Sequence, residues 1–119
     1  MSQPLAGFRV ADFSHVMAGP FCSHFLGMLG AEVVKLEPLR GDAMRDYGPF
    51  REYHGLAPAF IAANVGKRSL AVDLKSSEGL EIARRLIGQS EVVLENFRPG
   101  VMDRLGIGYE ACKAIQPDR

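Results

Sequence analysis

The chain has 119 residues, 47% of them hydrophobic and 24% charged, which allows one globular domain with a modest core and excludes a disordered or fibrous class. Fourteen basic and fourteen acidic side chains cancel, so nothing in the charge balance points to nucleic acid or to a membrane surface, and any anion site must be local. No apolar run reaches membrane-spanning length, the N-terminus MSQPLAGFRV lacks a secretory pattern, and Cys22 and Cys112 fit neither a disulfide framework nor a zinc site; reduced thiols in the cytoplasm are expected.

In chain order, an apolar run over 8–12 reads as a strand. Phe21, Phe25, Leu26 and Leu29 recur at helical spacing before Gly30, predicting a helix over 21–29. A second strand covers 32–37. From 38 to 58 the chain reads as a long loop broken by glycines and prolines, with Tyr47, Phe50 and Tyr53 marking it as a binding loop rather than a disordered one. A third strand over 69–73 leads to a helix over 76–89, with Ser76 as N-cap, Glu78 in its first turn and an apolar stripe of Leu80, Ile82, Ala83, Leu86 and Ile87. The fourth strand, 91–95, precedes a helical turn at 101–105 and a helix at 109–115. Two strand–helix–strand units of this kind predict an α/β fold with a doubly wound parallel sheet. An alternating pattern calls for a further strand after the last helix, so residues 1–119 read as the N-terminal part of a longer domain.

Open parallel sheets bind ligands beyond the carboxyl ends of their strands, near the switch point in strand order. The unusual clusters all fall at such ends: Ser14 to Pro20 after the first strand, Arg40, Gly41, Asp42 and Arg45 after the second, Asp73-Leu74-Lys75 after the third, and Asn96-Phe97-Arg98 with Arg104 after the fourth. Guanidinium groups beside an aromatic ring suit a phosphorylated ligand carrying a flat base, such as an adenine nucleotide. No GxGxxG follows the first strand, which weighs against a nicotinamide enzyme. His15 can act as a general base, although a single loop histidine more often serves in hydrogen bonding or packing. Lys67 and Arg68 read as solvated or structural charges at the far edge of the sheet, Met17 and Met28 as packing residues, and Asp12 and Asp73 as acceptors of loop amides.

Taken together, PLAGFRVADFSHVMAGPF, LGAEVVKLE, GKRSLAVDLKSSEG, ENFRPGVMDRLGIGYE and AIQPDR resemble the N-terminal part of the class III CoA-transferases, the CaiB/BaiF family that includes formyl-CoA transferase. The resemblance implies a Rossmann-like domain that binds coenzyme A, whose 3′-phosphate-ADP part matches the ligand inferred from the residues. It implies that His15, Val16, Met17 and Ala18 line the CoA site, that Val72, Asp73, Leu74 and Lys75 approach the nucleotide, and that Asn96, Phe97, Arg98 and Arg104 contact it. Pro38 stands where family members often carry a basic residue, and Arg40 is the candidate substitute; Gly66 replaces a common asparagine. The family's reaction moves CoA from an acyl-CoA to a carboxylic acid through an aspartyl anhydride and an aspartyl-CoA thioester, with acyl-CoA as substrate and no covalently bound cofactor or metal. None of the aspartates present matches the nucleophile's motif, which places it beyond residue 119 and makes this chain alone a CoA holder without activity. The resemblance also implies a homodimer of interlinked chains. Two alternatives stand beside the transferase: an acyl-CoA racemase of the same family, and a stand-alone CoA or adenine-nucleotide binding module.

Overall fold

The computed structural model describes residues 1–49 and 53–117; Phe50 of the predicted binding loop lies outside them. Four strands, β1 (Arg9–Asp12), β2 (Glu32–Glu37), β3 (Arg68–Ala71) and β4 (Val92–Leu94), form one parallel sheet in the order β3-β2-β1-β4. Ala11 pairs with Val34 on one side and Val93 on the other, so β1 is central and the strand order reverses between β1 and β4. The helices are α1 (Ala18–Met28), α2 (Pro58–Asn64), α3 (Ser77–Gly88), α4 (Val101–Arg104) and α5 (Tyr109–Ile115), with a 3-10 turn at Ala43–Asp46.

Strand alternation divides the core into two chemically different layers. Ala11, Phe13 and Leu36 face Ala83, Leu86 and Ile87 of α3, with Met102 and Ile107 beyond, in an apolar cluster. The opposite face begins apolar, with Val10, Val33 and Ala31 against Leu26, and turns polar towards the carboxyl ends, where Asp12, Lys35 and Glu37 are buried.

Two elements differ from expectation. Helix α1 starts at Ala18, three residues before the predicted start, because Pro20 in its first turn needs no N–H partner. It buries Gly19, Pro20 and Ser23 rather than the predicted stripe, leaving Phe21, Phe25 and Leu29 exposed. The cause is Asp12: its buried carboxylate draws the Ser23 hydroxyl inward, and only small residues let the helix axis approach that closely. Met28, read as a packing residue, is 60% exposed for the same reason. Second, the long loop contains the 3-10 turn, and a further helix, α2, follows it; Phe60, Ala63 and Asn64 of α2 are buried.

Candidate functional site

A cavity of about 710 Å³ opens at the carboxyl ends of the strands. Phe13 and His15 come to it from β1, Leu36 to Arg40 from β2, Val72 to Lys75 from β3, Phe97 from β4, and Val101 and Leu105 from α4 and its end. Its lining is mostly apolar, with two cations, Arg40 and Lys75, both exposed, and two carboxylates, Glu37 and Asp73.

Each strand end is shaped by a local device. The side chain of Asn96 accepts from the backbone N–H of His15 at 2.8 Å and donates to the His15 carbonyl at 2.8 Å, tying the β4 end to the β1 end across the switch point. This clamp sets the His15 ring 5.4 Å from the ring of Phe97, tilted by 55°. Burial pulls the His15 imidazole below its ordinary pKa, against the opposing pull of Asp42. Val16, with φ of 68°, turns the chain through the left-handed region that β-branched residues avoid. At the β3 end, Asp73 accepts from the Lys75 amide at 2.9 Å, as its position at a strand end predicts, and Ser76 caps α3 by accepting from Gly79 at 2.9 Å.

Beside the cavity, three ion pairs fill the polar layer under α1 and α2, one of them through Glu37, which also lines the cavity. Lys67 Nζ lies 3.1 Å from Asp12 and also donates to the Pro20 carbonyl and Asn64 Oδ1, each at 2.9 Å. Lys35 Nζ lies 2.9 Å from Asp42 and donates to the Ser14 carbonyl at 2.8 Å. Glu37 receives Arg45 in a two-point contact at 2.6 and 2.7 Å, and accepts from the Asp42 amide at 2.7 Å and the Ser69 hydroxyl at 2.8 Å. Burial alone would raise the Glu37 carboxyl, but these donors hold it at about 2.

Of the residues predicted for the site, His15, Arg40, Val72, Asp73, Leu74, Lys75 and Phe97 line the cavity together. Val16, Met17, Ala18, Asn96, Arg98 and Arg104 do not: Val16 and Met17 are 51% and 38% exposed, Asn96 spends its amide on His15, and Arg98 and Arg104 flank the lining residues Phe97 and Leu105 as exposed side chains. Arg45, grouped with the anion-binding candidates, instead belongs to Glu37 and lies 4.3 Å over the Phe60 ring. Of the two readings given to Lys67 and Arg68, Lys67 takes the structural one, with its side chain 3% exposed and paired with Asp12 rather than at the far edge, and Arg68, 74% exposed and paired with Glu32, the solvated one. The sequence reading missed the apolar lining residues Phe13, Leu36, Val101 and Leu105. It also missed the buried pairs; the signal available was the alternation of Val33, Lys35 and Glu37 on one strand face, where a charge should be either solvated or paired.

The family model for CoA-transferase family III matches residues 5–118. The chain is 37% identical over 115 residues to a succinyl-CoA–L-malate CoA-transferase alpha subunit of Chloroflexus aurantiacus, covering 96% of this chain and 27% of that one. It is 40% identical over 119 residues to a formyl-CoA:oxalate CoA-transferase of Bradyrhizobium, covering 98% of this chain and 28% of that one. A crystal structure of a CaiB/BaiF family protein from Brucella suis superposes with a TM-score of 0.91 at 42% identity, over 97% of this chain and 31% of that one. The parallel α/β sheet is thus the one found in CaiB/BaiF family structures. This chain is a member of CoA-transferase family III, and it spans less than a third of the length of each of these relatives.

Proposed function

We propose that residues 1–119 form the CoA-binding part of a transferase that moves CoA from an acyl-CoA to a carboxylic acid. The observation that carries this reading is the cavity at the strand ends, whose mostly apolar lining includes the Phe97 ring and the exposed cations Arg40 and Lys75, in a chain of this family. The cations pair with phosphates of the CoA nucleotide, Arg40 taking the place of the basic residue that Pro38 lacks, and the adenine packs against Phe97. Arg98 and Arg104, beside the lining, approach the phosphates from the rim.

In the reaction, an aspartate carboxylate attacks the thioester carbonyl, expels the CoA thiolate and leaves a mixed anhydride. The thiolate then attacks the aspartyl carbonyl, releasing the donor acid and forming an aspartyl-CoA thioester, from which CoA passes to the acceptor acid. By resemblance to the family, whose nucleophile motif none of the aspartates present matches, the nucleophile is supplied outside these residues; Asp12 and Asp42, for their part, are held in buried ion pairs. By the same resemblance, we extend the proposal to a homodimer of the whole enzyme.

The test is calorimetric titration with CoA and with dephospho-CoA. Saturable CoA binding that weakens when the 3′-phosphate is missing supports the reading. Absence of any CoA binding by the folded protein overturns it.

A further inference from the structure

The buried pair Lys35–Asp42 lies next to the cavity without lining it, and each residue is only 1% exposed. Taking two charges out of water costs more than their attraction returns, so such a pair contributes little to stability compared with apolar side chains of similar volume. Its hydrogen bonds show a different use. Lys35 Nζ donates to the Ser14 carbonyl at 2.8 Å, and Asp42 accepts from the Val16 amide at 3.3 Å and the Met44 amide at 3.0 Å. The two side chains therefore grip the β1–α1 loop on both sides of His15 and join it to the segment after β2 that carries Arg40. Val16 sits in a strained left-handed conformation within that grip, which the loop would leave if the anchors were removed.

We infer that Lys35 and Asp42 are positioning residues for CoA binding, holding the β1–α1 loop against the post-β2 segment where both reach the cavity. The inference rests on the proposed CoA site. It separates positioning from stability through a double substitution, Lys35→Met with Asp42→Leu, which keeps volume and removes both charges along with every backbone anchor they provide. The double variant is expected to keep a cooperative urea transition, showing that it folds, yet to bind CoA roughly 10- to 100-fold more weakly, the loss expected when one charge-assisted contact goes out of alignment. Asp42→Asn retains an acceptor for the Val16 and Met44 amides and is expected to fall between the parent and the double variant in CoA affinity. Amide hydrogen exchange at Val16 should be slow in the parent, intermediate in Asp42→Asn and fast in Asp42→Ala.

Parent-like CoA affinity in the folded double variant overturns the positioning role. If the double variant does not fold, parent-like affinity and parent-like Val16 protection in Asp42→Ala overturn it equally. A parent protein that fails to bind CoA at all overturns the proposed function instead, and is recognised by the absence of binding before any substitution is made.

Discussion

Among the buried pairs, Lys67–Asp12 and Glu37–Arg45 carry the sharpest predictions at the scale of the residue. Removing Lys67 leaves the fully buried Asp12 carboxylate with only the Ser14 and Ser23 donors, so Lys67→Met is expected to destabilise the fold by about 3–5 kcal/mol in urea unfolding, whereas Arg68→Met, at the exposed Glu32 pair, costs about 1 kcal/mol or less. Equal costs would contradict the burial of the first pair. Glu37 sets an acid limit. Its carboxyl titrates near 4.5 when unfolded and at about 2 in the fold, so below pH 4.5 the unfolded chain binds the extra proton. The stabilisation, of the order of 3 kcal/mol, is complete above pH 4.5 and lost as pH falls towards 2. Arg45→Met moves the folded value upward and should flatten the acid limb of a stability–pH curve relative to the parent; parallel curves would exclude the pair as its origin. At the site itself, Arg98→Ala and Arg104→Ala are each expected to weaken CoA binding by about 1–3 kcal/mol if their rim positions reach phosphate, and an unchanged titration removes that residue from the site.

Elements meet the site through close backbone approach, and glycine reports where. Gly79 in the first turn of α3 lies so near the Asp73 main chain that a Cβ would overlap its carbonyl carbon and oxygen, atoms that cannot yield without moving the turn. Gly79→Ala is therefore expected to destabilise the fold, although alanine is the better helix former by about 1 kcal/mol, and to weaken CoA binding because Asp73 to Lys75 line the cavity. Gly27 in the last turn of α1 is the control: its Cβ would meet Val33 Cγ2 at an ordinary 3.5 Å, so Gly27→Ala is expected to be neutral or stabilising by up to about 1 kcal/mol. Thermal unfolding of the two variants in opposite directions checks both. The same elements show what the sequence made legible. Apolar runs and Ser76 located all four strands and α3 because short apolar runs and a capped amphipathic helix follow local rules. The inward face of α1 was not legible, since a stripe of phenylalanines outweighs a glycine, a proline and a serine in any local pattern, while the buried carboxylate of Asp12 that decides the outcome lies on another element. Helix α2 has no capping side chain and only seven residues, and its local signal was correspondingly weak.

At the scale of the whole molecule, the strand order puts the β1 and β4 ends side by side, and this is why residues 81 positions apart, His15 and Asn96, share two hydrogen bonds at the mouth of one cavity. Periodicity could place each cluster at a strand end but not choose among them, because which ends are neighbours is a property of the order β3-β2-β1-β4. Among the described residues, that order also leaves β4, like β3 at the other end, with one unpaired edge, and the outer face of α1 exposes Phe25, Met28 and Leu29 at 58%, 60% and 46%. With a formal net charge of zero there is no long-range repulsion to keep copies apart. Self-association at micromolar to millimolar concentration is the expected result, seen as a sedimentation coefficient that rises with loading. The two surfaces separate by substitution: Phe25→Lys with Met28→Lys should abolish the rise if the α1 face drives it, and leave it intact if the β4 edge does, since the helix face contributes nothing to strand pairing. A single, concentration-independent monomer for the parent protein across that range would show that neither surface is adhesive.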